Sequence, residues 1–437
     1  MTVNLASPYR PIPSPPRSLE VQFVAPGQDD FLFAGPGAPR IVCIPGKRAI
    51  ALEWSLARNC VETPFLRGTG AARFDNGFTI DVPAEGLEPG FFDLRVSLRL
   101  TDAETLEGRT TFGWRHEEMG VHPLRPEDFD EFWSRGLAKI DAVPPQPVVT
   151  LERTLQGKEI GLYNVQHAAL PENYDPEGAK CDEVEVYRVR FASCDGATVE
   201  GWFAKPVGPG PFPGLLVLPG AGNNARPAPV EHARHGYATL DVQVHAQPVD
   251  AASYTPAPDD SPVTRPEEKN HYAIYLHAVQ AARALPLLPG VDRERLAVLG
   301  GSQGGRLTVV VAALDPSFRA AVPAIAHFAY MPWLHGVMAL NARKSPGDGA
   351  FTPAAEVSTA LRVDSYFDVL NFAPRVRCPV LMNAGLTDRV SPPTGIFAIY
   401  RALPGEKELV PLPNIAHDWA PAFDRYAWRW LERTLAR

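Results

Sequence analysis

The apolar positions of this 437-residue chain change rhythm along its length. Between about residues 20 and 113 they come in short runs, 41–44, 49–54, 78–82 and 92–100, split by turn-formers such as Asp75-Asn76-Gly77 and Glu88-Pro89-Gly90. Residues 92–100 alternate apolar and polar side chains, the period of a strand with one buried face. Helical spacing is missing here, so residues 21–115 predict a small all-β, sandwich-like domain. The twenty residues before it carry Pro8, Pro11, Pro13, Pro15 and Pro16. Proline has no N–H to give a ladder, so residues 1–20 predict an extended segment over the surface.

After about residue 115 the period lengthens. Arg125-Pro126-Glu127-Asp128-Phe129-Asp130-Glu131-Phe132-Trp133 sets proline and acids where a helix begins, with apolar residues at helical spacing behind them. From about residue 183 short apolar runs alternate with helix-like stretches, which implies βαβ units. Residues 184–191 and 201–204 read as a leading antiparallel pair. Residues 215–218, 238–242 and 296–299 are short and apolar, as central parallel strands are, and 321–325, 380–384 and 408–412 follow as later strands. Residues 272–285 and 423–435 read as amphipathic helices, the second with Tyr426, Trp430 and Leu431 along one side. The fold class predicted for 116–437 is α/β, with a doubly wound, mostly parallel sheet. The sequence shows no internal repeat.

Composition removes several function classes. A hydrophobic content of 45% with 21% charged residues is that of a soluble globular protein. The net charge of −8 comes without a basic run, so neither nucleic acid nor an anionic membrane is an expected partner. Cys43, Cys60, Cys181, Cys194 and Cys378 are odd in number and scattered, which argues against a disulfide framework and against a zinc site. No apolar run approaches the length of a membrane span, and the first residues show no secretory pattern, so a cytoplasmic location is expected.

The chemistry concentrates in the last third. Gly300-Gly301-Ser302-Gln303-Gly304-Gly305 contains G-x-S-x-G between an apolar run ending at Leu299 and a helix-like stretch, 306–314. A serine hydroxyl is a poor nucleophile unless it is exposed, paired with a base and given a site for the oxyanion. A strained strand-to-helix turn meets the first need, with the two motif glycines allowing close packing. Where this turn is catalytic, the acid follows the serine and the histidine comes last. Of His327, His335 and His417, only His417 has a carboxylate before it in a loop directly after an apolar strand, namely Asp388. Ser302, Asp388 and His417 are therefore the candidate triad. The oxyanion donors expected are the N–H groups of Gln303 and of Ala221, in the glycine-rich run Pro219-Gly220-Ala221-Gly222-Asn223-Asn224; an ordinary turn is the alternative for that run.

With these residues placed, residues 120–437 resemble the acetyl xylan esterase and cephalosporin-C deacetylase family of carbohydrate esterases, which has the α/β-hydrolase fold. Asp128-Phe129-Asp130-Glu131-Phe132-Trp133, the Gln303 turn, Ser365-Tyr366-Phe367-Asp368, Asn371-Phe372-Ala373 and Gly385-Leu386-Thr387-Asp388 followed by Pro392-Pro393 carry the resemblance. It implies that Ser302, Asp388 and His417 are the triad and Ala221 and Gln303 the oxyanion donors. It also implies removal of acetyl groups from small or oligosaccharide esters without cofactor or metal, in a homo-oligomer. The sequence departs from the family at Val242-Gln243-Val244-His245-Ala246-Gln247, where Arg-Gly-Gln is usual, and at Asp418, where Glu is usual; residues 1–115 have no counterpart in simple members. His245 is a candidate substrate contact at a strand end, or a structural loop histidine. Tyr330 and Trp333, in Phe328-Ala329-Tyr330-Met331-Pro332-Trp333-Leu334, are candidates to roof the pocket, or to pack in the core. His271 and His277, six apart, lack metal-ligand spacing and read as structural or surface residues. A serine peptidase of the oligopeptidase type, an esterase for another acyl group and a sugar-binding module with an inert hydrolase half are the competing readings.

Overall fold

A computed structural model describes residues 21–35, 37–73, 76–101, 104–221, 226–251, 263–342 and 358–436. The proline-rich segment 1–20, Asp75 of the first predicted turn and Gly222, Asn223 and Asn224 lie outside the described residues.

The N-terminal strands form two sheets. Val21–Val24, Arg40–Pro45, Phe78–Asp81 and Ala71–Ala72 make a four-stranded one, in that order; Leu32–Phe33, Thr105–Trp114, Gly90–Leu100, Ala49–Arg58 and Leu66–Thr69 make a five-stranded one. Leu94, Leu98, Phe112, Ile41 and Ile80 are fully buried in the core the sheets contribute to. The alternation in Gly90–Leu100 has a second meaning, however. Phe91 and Asp93, on the face opposite Leu94 and Leu98, are buried as well. That face packs on the second half of the chain: the Phe91 ring lies 4.7 Å from the ring of Phe397.

The second half is built on one nine-stranded sheet. Its strands are β1 (Val148–Gln156), β2 (Glu183–Ala192), β3 (Thr198–Pro206), β4 (Phe212–Leu218), β5 (Ala238–Gln243), β6 (Val291–Gly301), β7 (Ala320–Ala324), β8 (Val380–Gly385) and β9 (Lys407–Leu412). They lie in the order β1-β2-β3-β5-β4-β6-β7-β8-β9. The first three pairings are antiparallel and the rest parallel. The predicted leading antiparallel pair is β2 with β3, and the six later apolar runs are β4 to β9. β5 and β8 are buried at every position, as strands covered on both faces must be. The sequence missed β1 because all but two of its residues are exposed, so an edge strand carried no apolar rhythm.

Helices flank the sheet: α1 (Phe129–Asp141), α2 (Asn270–Ala284), α3 (Gln303–Leu314), α4 (Pro393–Ala402) and α5 (Pro421–Leu435). α1 starts later than its proline and acids suggested, with Asp128 at the N-cap, and buries Phe129, Phe132, Trp133 and Ile140 along one stripe. α2 is buried almost all round, including His271 and His277, whose Nδ1 faces the carbonyl oxygen of Val244 at 2.8 Å. Both histidines are therefore structural.

Candidate active site

Ser302 sits between β6 and α3 with φ 57° and ψ −114°, a backbone conformation that costs a non-glycine residue of order 1–3 kcal/mol. The surroundings over-determine it. Its N–H donates to Ala324 O at 3.0 Å, and its carbonyl accepts from His327 N at 3.2 Å and Arg306 N at 3.1 Å. The glycines of the motif are sterically required: a Cβ at Gly300 would come within 2.6 Å of Leu218 O, and one at Gly304 within 2.0 Å of the same atom. Gly301, which the motif leaves free, has open space beside it.

The three chain-ordered residues converge on one relay. His417, in the loop between β9 and α5, has Nε2 2.9 Å from Ser302 Oγ and Nδ1 2.8 Å from Asp388 Oδ2. Asp388, in the turn after β8, is fully buried, and its Oδ1 accepts the N–H groups of Val390 and Ser391, each at 2.8 Å. Those bonds aim the other oxygen at His417. With Nδ1–H donating to the carboxylate, Nε2 carries the lone pair that faces the serine hydroxyl.

Gln303, at the first position of α3, has a backbone N–H of the kind a helix leaves without an internal acceptor. Its side chain is a hub: the amide nitrogen faces His245 Nε2 at 3.1 Å and Pro219 O at 3.5 Å, and the amide oxygen accepts from Arg306 Nη2 at 3.2 Å. The Pro219 contact ties the loop after β4, which carries Ala221, to the nucleophile turn. Burial first, and then the Arg306 charge, pushes His245 down to about 4, so at neutral pH its Nε2 can accept from Gln303. The structure thus supports the reading of His245 as a loop histidine, holding the residue after the serine. Burial with the charges of Arg306 and His417 likewise pushes His327 down to about 3.

Tyr330 and Trp333, the candidates to roof the pocket, stand in the walls of a cavity shared with Phe91, Phe92 and Met119. The Tyr330 hydroxyl accepts from His122 N at 3.1 Å, its N–H donates to Asp368, and its ring stacks on Trp333 at 6.5 Å. Trp333 packs with Cys60 and Val61, which follow the strand Ala49–Arg58. Both residues therefore stand in the seam between the two halves, where apolar area is covered by the sandwich. A cavity of about 350 Å³ does touch His417, between Gly300, Gly301 and Ile325 on the sheet side and Trp419, Phe423 and Trp428 on the other, but Ser302 is not among its walls.

Two further residues were hidden from the sequence. Asn383, buried in β8, accepts Ile325 N–H at 2.8 Å and so holds a β-branched residue at φ 36° beside the nucleophile turn. Arg306, buried on α3, fixes Gln303. Neither belongs to a motif that spacing alone could flag. Among the described residues, no cluster of His, Cys, Asp and Glu could hold a metal ion, and no helix is long and apolar enough to cross a membrane.

A mostly parallel sheet, with a serine forced out at the strand-to-helix turn and a histidine and acid from later loops, defines an α/β hydrolase. Residues 158–434 match the acetyl xylan esterase (AXE1) family model, and the chain belongs to that family of carboxylic ester hydrolases. The acetyl esterase Axe7A of Xylanibacter ruminicola is 26% identical over 382 residues, spanning 84% of this chain and 79% of its own. The solved acetyl xylan esterase from Paenibacillus sp. R4 is 25% identical with a TM-score of 0.56, covering 72% of this chain and 96% of that one. Acetyl xylan esterase 1 from Thermoanaerobacterium sp. JW/SL YS485 shares the fold with the same TM-score and coverage at 24% identity. The peptidase reading is not favoured.

Proposed function

We propose that Ser302 is the nucleophile, His417 the general base and Asp388 its orienting acid, with the N–H groups of Gln303 and Ala221 receiving the oxyanion. The substrate class is acetyl esters of xylan-type sugars and their oligomers, a reading supported by the names of the family and of its relatives. The observation that carries it is the unbroken relay Asp388 Oδ2 to His417 to Ser302 Oγ, with steps of 2.8 and 2.9 Å, ending on a serine held at φ 57°.

Ser302 Oγ attacks the acetyl carbonyl carbon while its proton passes to His417 Nε2. The tetrahedral oxyanion rests on the two N–H groups until the bond to the sugar oxygen breaks, and His417 returns the proton to that oxygen. Water then attacks acetyl-Ser302, losing a proton to the same histidine. Collapse releases acetic acid, which ionises in water, and restores the serine hydroxyl with the proton from His417. Asp388 stays ionised throughout.

Ser302→Ala is expected to lower kcat on p-nitrophenyl acetate by more than about a thousandfold with an unchanged circular-dichroism spectrum. Acetate release from acetylated xylo-oligosaccharides, compared with longer acyl esters, tests the substrate class; faster turnover of butyryl or longer esters would overturn it. Self-association is part of the same proposal, resting on the family resemblance, and light scattering of the purified chain checks it. The division at about residue 115 is likewise a proposal, supported by the change of sheet between Thr105–Trp114 and β1.

A further inference from the structure

The face of the five-stranded sheet that carries Phe91 and Asp93 does more than cover apolar area. It reaches both neighbours of Asp388, the backbone of Thr387 and the side chain of Arg389. From the strand Thr105–Trp114, Arg109 Nη2 donates to Thr387 O at 3.0 Å, one residue before the acid. One residue after it, Arg389 Nη2 donates to Cys60 O at 3.3 Å and forms an ion pair with Glu62. Glu62 is held in turn by Arg95, whose Nη2 lies 3.0 Å from its carboxylate and which stands directly across the strand pair from Arg109. Cys60 N–H donates to the buried Asp93 at 3.1 Å, and Asp93 also accepts from Asn59 and Thr111 at 3.1 and 2.9 Å. Asn59 Oδ1 then accepts from Thr394 Oγ1 at 2.9 Å, at the start of α4, where the chain leaves the acid turn.

This arrangement adds outside support to a turn whose carboxylate is held from its own half by the N–H groups of Val390 and Ser391 and by His417. Thr387 N–H donates to Ile415 O at 3.2 Å, Leu386 N–H to Leu412 O at 3.0 Å and Asp388 N–H to Gly385 O at 3.2 Å. The last is internal to the turn; the first two come from the histidine loop and the edge strand β9. A carboxylate that must meet an imidazole nitrogen at hydrogen-bond distance is sensitive to small displacements, and misplacement by about 1 Å can cost on the order of a hundredfold in rate.

We propose that the N-terminal sandwich is a positioning element of the catalytic site, with Arg109 holding the Thr387 carbonyl and the Glu62–Arg389 pair holding the side chain that follows Asp388. The inference rests on the triad reading above. These are positioning residues: none reaches the ester, and each acts through Asp388.

The test is a double-mutant cycle on the full chain with p-nitrophenyl acetate, combining Arg109→Ala with Asp388→Asn. Arg109→Ala alone is expected to lower kcat about tenfold with KM changed less than about twofold, and Arg109→Lys, which keeps the charge and one donor, to recover part of the loss. In the Asp388→Asn background, followed by single turnover at high enzyme concentration, Arg109→Ala is expected to cost nothing more, because the group it aims is gone. Glu62→Ala is expected to behave in the same way. An equal tenfold loss in both backgrounds would overturn the proposal, since the effect would then run through general destabilisation. So would full activity of Arg109→Ala and Glu62→Ala. Full activity of Asp388→Asn would instead sink the triad reading on which the clamp depends.

Discussion

At the scale of single residues, the nucleophile turn separates what a motif demands from what it tolerates. Gly304 faces Leu218 O, a backbone atom that cannot swing aside, whereas Gly301 faces open space and has no positive φ. Gly304→Ala is accordingly expected to destabilise by about 1–3 kcal/mol or more and to displace Ser302, with activity on p-nitrophenyl acetate falling alongside. Gly301→Ala should stay within about 0.5 kcal/mol of the parent in urea denaturation. The same contrast explains why the sequence brought Ser302, Asp388 and His417 together but left Tyr330 and Trp333 open between pocket and core. The triad is constrained by chain order and by strand ends, which are local features. An aromatic residue after a strand end can serve a pocket or a seam equally well, and only the packing partner decides which.

Among the secondary elements, Asp368 is the buried joint of the region next to the site. Its carboxylate accepts the N–H groups of Tyr330 and Met331, where the helix Met331–Ala342 begins, and that of Leu370 in the short helix Val369–Phe372. One side chain thus caps two helix starts in a place water does not reach. Asp368→Ala leaves those donors unpaired and is expected to cost roughly 2–4 kcal/mol in denaturant unfolding, with Asp368→Asn recovering part. The resemblance flagged Ser365-Tyr366-Phe367-Asp368 without giving it a task; the task is structural.

The whole molecule carries a pH dependence in its buried histidines. Burial pushes His116 down to about 4, His232 to about 3, His245 to about 4 and His327 to about 3, and lowers His271 and His277. In the unfolded chain each of them takes up a proton near its ordinary value of 6.5, while the folded protein keeps them neutral, so their contribution falls as pH drops from about 6.5 towards 4. Asp368 and Asp424, pushed up to about 6 by burial, and Asp241, raised by burial, act the other way, because the folded protein binds their protons first. Six histidines outweigh three carboxyls. The thermal midpoint is expected to fall steadily between pH 7 and pH 5 in scanning calorimetry, and a midpoint that rises over that range would contradict the balance.

Sequence alone determined the period of the central strands, the chain order of Ser302, Asp388 and His417, and the glycine spacing that forces Ser302 out of its turn. These follow from rules that act over a few residues, through burial alternation and backbone sterics. It also placed β4 to β9, because central strands must be apolar to be buried on both faces. What it could not supply was anything decided by residues far apart in the chain. The alternation in Gly90–Leu100 announced one buried face, yet both faces are covered in its first half, and the second cover is a separate part of the chain. His245 as the partner of Gln303, and Arg109 against Thr387, depend on where folded surfaces meet. Local pattern records only that a side chain is polar; which backbone atom it holds is fixed by tertiary packing.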